Sequence, residues 1–165
     1  VWDFARGYAA LRGGNSSNAR KHQQRLSTIA RTTTEKYRFH PASHVLQPLA
    51  YILDGEISRA AGDLGAAIAS FEKAVEHEDM MGYDEPEPLP FATRHWLGAA
   101  LVEAGKFDTA AAVYRAELAD HPHNGWSLFG LQQALAGAGA GDPAVDEDLA
   151  RSWARADTWI RASRF

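Results

Sequence analysis

Apolar residues recur along this chain every three to four positions, and no stretch alternates with the period of two that marks a half-buried strand. Phe4, Tyr8 and Leu11 form the first stripe, which Gly13-Gly14 ends. Asn15 or Ser16 caps a second helix that runs towards Thr32 with Leu26, Ile29 and Ala30 inward. Such a cap accepts a hydrogen bond from a backbone N–H that the first helical turn leaves unpaired. Ser43 starts a third helix, with Leu46, Leu49, Leu53 and Ile57 on one face, and Gly62-Asp63 turns the chain into a fourth, marked by Leu64, Ile68, Phe71 and Val75. From Met81 to Pro90 three prolines interrupt the period. They lack a backbone donor and push their predecessors out of the α region, so this stretch is a loop. A fifth helix carries Leu97 and Leu101 up to Gly105, and a sixth has Phe107, Ala110, Ala111, Tyr114 and Leu118 before Pro122. Asn124 caps a seventh, with Leu128, Leu131 and Leu135. After a glycine-rich break, Asp142-Pro143 opens a long last helix with Val145, Leu149, Trp153, Ala156 and Ile160. The pattern predicts about eight helices, no sheet, and an all-α fold.

The helices come in pairs, and the pairs resemble one another. Leu97-Gly98-x2-Leu101, then Gly105, Ala110-x3-Tyr114 and Pro122, is similar to the signature of the tetratricopeptide-repeat (TPR) family. It departs at Arg94, where a large apolar residue is usual. An earlier unit aligns as Tyr51, Gly55, Gly62, Ala67-x3-Phe71-x2-Ala74, departing at Asp54 and Ser58. A third begins as Leu128-x2-Leu131-x3-Leu135 and loses the pattern after Gly137, and Gly7, Gly14 and Ala19 echo it faintly. Each residue type has a physical reason. Gly98 lets the helices of a hairpin approach closely, Ala110 is small at their crossing, and Tyr114 fills the space between neighbouring hairpins.

The resemblance implies one TPR-like domain over 1–165, an α/α superhelix of antiparallel hairpins. A degenerate first hairpin would cover 1–34, repeats 43–80 and 89–121, and a last hairpin with a capping helix 124–165. A family unit is about 34 residues. Against that spacing, extra residues fall between Thr32 and Ser43 and in the proline-rich loop. Insertions in solenoids lie on one face, often the binding face. From about residue 45 onward the chain also resembles the closing segment of large bacterial TPR proteins, through Tyr83-Asp84-Glu85-Pro86, Asn124-Gly125-Trp126 and Ser163-Arg164-Phe165. That likeness, with a start at Val1-Trp2-Asp3-Phe4 already inside a helical pattern, implies a fragment whose natural end is Phe165.

Composition narrows the picture further. With 45% hydrophobic and 23% charged residues the chain is globular. No apolar run approaches the ~20 residues of a membrane span. Cysteine is absent, which excludes disulfides, thiolate zinc sites and cysteine nucleophiles and leaves the compartment open. The net charge of -4 is unevenly spread. Seven Lys/Arg against Glu35 lie between Arg12 and Arg38, and ten acids against Arg59 and Lys73 lie between Asp54 and Glu87. The bland account of this asymmetry is solvated faces that attract each other within the fold. Nucleic acid is not an expected partner, because no aromatic residues interleave with the basic run.

Candidate chemistry follows from the repeat register. In the family, the first helix of each hairpin lines a concave face. Here that places Ile52, Glu56 and Arg59, then His95 and Ala99, then Trp126, Phe129 and Gln133 in one groove, suited to a peptide or to an apolar ligand with a polar handle. Trp126 and Phe129 have an alternative place as core under the last helix. Ile52, Glu56, His95 and Ala99 stand where chaperone-binding members carry a lysine–asparagine clamp, so co-chaperone work is not expected. Arg94 and Arg115 either pin the inserted loop through Glu85 and Glu117 or form an anion site. His40 and His44 are four apart, the spacing of one helical face, and a third metal ligand would come from Asp54, from Glu56 or from a missing N-terminal region. No Gly-rich phosphate loop, Gly-x-Ser-x-Gly elbow or HExxH occurs.

The reading is a non-catalytic binding or scaffold module, with no cofactor. Its partner is a protein or peptide, or a missing N-terminal part of its own chain, received on the concave face and on the loop around Tyr83 and Glu85. The alternative is a metal- or small-ligand-binding domain using His40 and His44 or the groove around His95 and Trp126.

Overall fold

In a computed structural model of the chain, residues 1–164 are described. Phe165, taken above as a natural end, lies outside the described residues. Eight helices are present among them: α1 (Trp2–Arg12), α2 (Ser16–Thr32), α3 (Ala42–Ala60), α4 (Leu64–Asp79), α5 (Arg94–Glu103), α6 (Phe107–Asp120), α7 (Gly125–Gly137) and α8 (Pro143–Ser152). Consecutive helices pack on each other in hairpins, and the architecture is an all-α helical-repeat fold. Four helix starts carry the side-chain caps that their sequence offers. Asn15 accepts from Asn18 N–H, Asp63 from Ala66, Asn124 from Trp126 and Asp142 from Ala144, at 2.9–3.0 Å.

Contacts group the chain into two compact units, Val1–Thr93 and Arg94–Phe165. The first holds α1 to α4. Its central element is α3, which packs against α1, α2 and α4 and therefore buries more than one stripe. Leu49, Leu53 and Ile57 are enclosed, as their spacing requires, but so are Val45, Ile52 and Glu56. Pro48 lies inside this helix and is buried. Lacking an N–H, it leaves the His44 carbonyl without its usual helical partner.

Between α2 and α3 the chain forms a ribbon that the helical pattern does not foresee. β1 (Lys36–Tyr37) pairs antiparallel with β2 (His40–Pro41) across a turn at Arg38-Phe39, where Arg38 takes φ 53°. The expectation of no sheet is corrected by this minimal hairpin, in which two bridging pairs are too few to show a period of two.

The second unit is organised around one ring. Tyr114 of α6 is 1% exposed and lies against both Gly98 of α5 and Gly130 of α7. A Cβ at either glycine would overlap the Tyr114 ring. In the first unit Gly55 of α3 and Phe71 of α4 repeat the arrangement. Small residue against aromatic ring is thus the recurrent crossing of these hairpins.

The long last helix is corrected. α8 stops at Ser152, so Trp153, Ala156 and Ile160 are not helical, and no residue of α8 is buried. An amphipathic stripe holds a helix only where it is buried against something. Here the terminal segment finds other partners. Trp153 packs edge-on against Trp126 with ring centroids 5.8 Å apart. Ser163 is 1% exposed and donates to the His95 carbonyl at 2.9 Å, while its oxygen meets Tyr114 Oη at 2.6 Å.

Gly98→Ala is expected to destabilise the second unit by about 1–3 kcal/mol, the range of overpacking. In chemical denaturation, combining it with Tyr114→Leu is expected to cost less than the two single changes added together. Strict additivity would show that the ring and the glycine do not meet.

Candidate binding site

The two insertions seen in the sequence lie together in the first unit, and a single side chain joins them. Arg38, at the tip of the β1–β2 ribbon, donates from Nη1 to the Pro86 carbonyl at 2.8 Å and from Nη2 to the Glu85 carbonyl at 2.9 Å. Nη2 also lies 3.0 Å from Asp84 Oδ1, which accepts the Glu85 N–H at 2.9 Å. The planar guanidinium fork suits this geometry, which an ammonium would not reproduce. Asp84 is buried, and its Oδ2 faces His40 Nε2 at 3.5 Å, beyond good hydrogen-bond geometry. The opposite charges of the basic run and the acidic run do meet here, at Arg38 and Asp84.

Held by this clamp, the insertions present large side chains to solvent. Phe39 is 81% exposed and Tyr83 89%, and Tyr37 is also exposed. The Arg38 guanidinium lies 5.9 Å from the Phe39 ring centroid, and the Tyr83 hydroxyl donates to Glu85. The Glu85 carboxylate raises the Tyr83 phenol above its ordinary range.

Beneath them lies a cavity of about 430 Å3. Phe4 of α1, Val45, Leu46 and Leu49 of α3, and Leu89 and Phe91 after the proline-rich loop supply most of its apolar wall, with Lys36 and Tyr37 of β1 at its side. The volume falls within the ~300–1,000 Å3 of small-molecule pockets.

The residues expected in a concave groove have other surroundings. Ile52 has no exposed surface, because α3 is covered on several sides, so it presents nothing to a partner. Glu56 is 1% exposed, and both its oxygens accept from Arg59, at 3.2 Å each. Arg94 opens α5 and is half-buried. Trp126, Phe129 and Gln133 are half-buried on α7, with Trp126 against Trp153. The Glu85 and Glu117 carboxylates, suggested as anchors for Arg94 and Arg115, contact Tyr83 in the one case and Ser127, Asn124 and His121 in the other.

His95 is buried in the second unit at the start of a polar chain. Its Nε2 lies 2.9 Å from Ser127 Oγ, and Ser127 donates to Glu117 Oε2. Since the serine proton goes to the carboxylate, Nε2 carries the imidazole proton and donates. Asn124 Nδ2 donates to Glu117 Oε1 at 3.1 Å, and His121 Nδ1 lies 3.0 Å from the same oxygen. A nucleophilic relay orders hydroxyl, imidazole and carboxylate with the imidazole in the middle. Here the hydroxyl is in the middle and wholly enclosed.

The two histidines proposed as metal ligands diverge. His40 is on β2, outside the helix, while His44 is in the first turn of α3, so they do not share a helical face. Among the described residues no group of three or more His, Asp or Glu side chains could hold a metal ion. The basic run of α2 does meet one aromatic ring that the linear sequence places elsewhere. Trp2 of α1 has the Arg6 and Arg25 guanidinium carbons 5.6 and 5.9 Å from its ring centroid.

The chain matches no family model and no curated protein.

Sequence reasoning located the proline-rich loop and Tyr83 but passed over Arg38, Asp84 and Lys36. Their only signal is the pairing of a basic insertion with an acidic one.

Burial, with the nearby His121 charge adding to it, pushes the His95 imidazole down to about 4 from an ordinary 6.5. Burial also pushes the Glu117 carboxyl up, against the Ser127, His121 and Asn124 contacts that lower it. As pH falls from about 6.5 to about 4, the unfolded chain takes up a proton on residue 95 that the folded chain refuses, so stability is lost. Glu117 acts with the opposite sign, its proton being favoured in the folded state. His95→Gln keeps a donor for Ser127 and removes the first effect. The stability advantage of wild type over this variant is expected to shrink by up to about 3 kcal/mol over that range, measured by urea denaturation. A constant difference would contradict a neutral buried imidazole.

Arg38→Lys keeps the charge but not the fork. The amide protons of Asp84, Glu85 and Glu87 are expected to exchange at least several-fold faster in that variant, with those of α4 unchanged.

Proposed function

We propose that the chain is a non-catalytic binding module of the tetratricopeptide type, which receives a protein or peptide partner on the face formed by its two joined insertions. The observation that carries this reading is the Arg38 clamp, which fixes the exposed Phe39 beside the loop bearing the exposed Tyr83. Exposed aromatic side chains cost solvation and are enriched where partners anchor. Anchors already held in place lose less freedom on association than anchors on a floppy loop. Support for the family comes from Gly98, Tyr114 and Gly55 with Phe71, whose packing gives the signature positions the physical role for which the motif selects them.

The proposed face is not the concave groove expected from the register, since Ile52 is enclosed and Glu56 is held by Arg59. A non-catalytic role is supported by the polar clusters themselves. Asp84 is engaged by Arg38, and Glu117 by Ser127 and Asn124.

The test uses immobilised protein and a peptide library displayed on phage. Selected peptides are expected to bind the wild-type chain saturably and to lose at least tenfold in affinity against Phe39→Ala/Tyr83→Ala, with the melting temperature unchanged. Peptides that bind the double variant equally well would move the site elsewhere and overturn this reading.

A further inference from the structure

We infer that the cavity beneath the insertions is a binding site for a compact amphiphile, with an apolar body and one anionic head group such as a carboxylate. This does not rest on the peptide-binding face, because Phe39 and Tyr83, the anchors of that face, do not line the cavity.

Three observations lead to it. The first is enclosure. The wall is drawn from α1, β1, α3 and the segment 88–91, and the loop that leads into that segment is tied in place through Arg38. A cavity whose wall is pinned by charge-assisted hydrogen bonds does not collapse as an apolar dent between mobile loops would. The second is lining. Phe4, Leu46, Leu49, Leu89 and Phe91 face the space, and no Asp or Glu is among the residues that line it. Its volume of about 430 Å3 exceeds what a single buried side chain fills and is ample for a short hydrocarbon or an aromatic ring system.

The third is charge. Lys36 is the one Lys or Arg side chain that lines the cavity, and among the described residues its ammonium has no ion-pair or hydrogen-bond partner. An apolar chamber with an unneutralised side-chain ammonium at its side discriminates by head group. An anion gains a Coulombic partner there, and a cation meets only repulsion. Tyr37, which also lines the cavity, carries a second donor without a partner among the described residues. The chemical class follows: apolar body inward, anion towards Lys36 and Tyr37.

The probe is the series of straight-chain carboxylates from hexanoate to dodecanoate, titrated by calorimetry against the chain, with the alcohols of equal length as controls. One-site binding is expected, tightening roughly three- to fourfold per added methylene until the cavity is full. Leu46→Trp narrows the cavity and is expected to weaken decanoate at least tenfold. Ala42→Phe, at the start of α3 on the same wall, repeats the obstruction should the first variant fold poorly. Lys36→Met is expected to weaken decanoate several-fold and leave decanol unchanged. Phe39→Ala/Tyr83→Ala is expected to leave decanoate binding intact, so failure of the peptide-binding proposal would not touch this one. Absence of saturable binding across the series overturns the site. So does binding indifferent to both Leu46→Trp and Ala42→Phe. Equal loss of decanoate and decanol in Lys36→Met overturns the anionic class.

Discussion

The α3–α4 and α5–α6 hairpins close where one helix gives up its side chain to the ring of the other. Gly55 yields to Phe71, and Gly98 and Gly130 both yield to Tyr114. Ridges-into-grooves packing sets axes about 8–10 Å apart when ordinary side chains meet. An aromatic ring seated over bare backbone fills the contact without a void, and so fixes both the crossing point and the register of the pair. The rest of each unit is built outward from these contacts. α3 can be covered on several sides, and His95, Ser127 and Glu117 can lie enclosed together, because the crossings leave no freedom to slide.

Against that rigid background the two insertions are held by a different kind of force. A ribbon with two bridging pairs and a loop with three prolines bury little surface of their own. Arg38 supplies what burial does not, by taking the Glu85 and Pro86 carbonyls and the Asp84 carboxylate together. Carbonyls of an irregular loop would otherwise need water. The result is a rim of exposed aromatics over an apolar cavity, both dependent on one guanidinium.

Much of the architecture was legible in the chain. Capping residues, glycine breaks and the 3.6-residue period gave the helices and their order, because each of those signals is local. Tyr114 was legible as a spacer between hairpins because it stands at a fixed place in the repeat signature, four residues after Ala110. The failures share a cause: they depend on distant partners. Ile52 looks like a groove residue until the several neighbours of α3 are known. The last helix looks long until Ser163 is seen to prefer Tyr114 and His95. His40 and His44 look like one helical face until the ribbon removes His40 from the helix. Arg38 and Asp84 are 46 positions apart, and nothing local marks them as a pair beyond opposite charge.

The tie at Ser163 has a mechanical meaning as well as a structural one. It joins residue 163 to residue 95 across a sequence separation of 68, so α5 to α8 lie almost entirely within a closed loop. Tension drawn along the chain at the two borders of this unit is carried first by the Ser163 hydroxyl and its contacts with His95 and Tyr114. Pull applied at residues 95 and 163 therefore meets this clasp before it reaches α7 and α8.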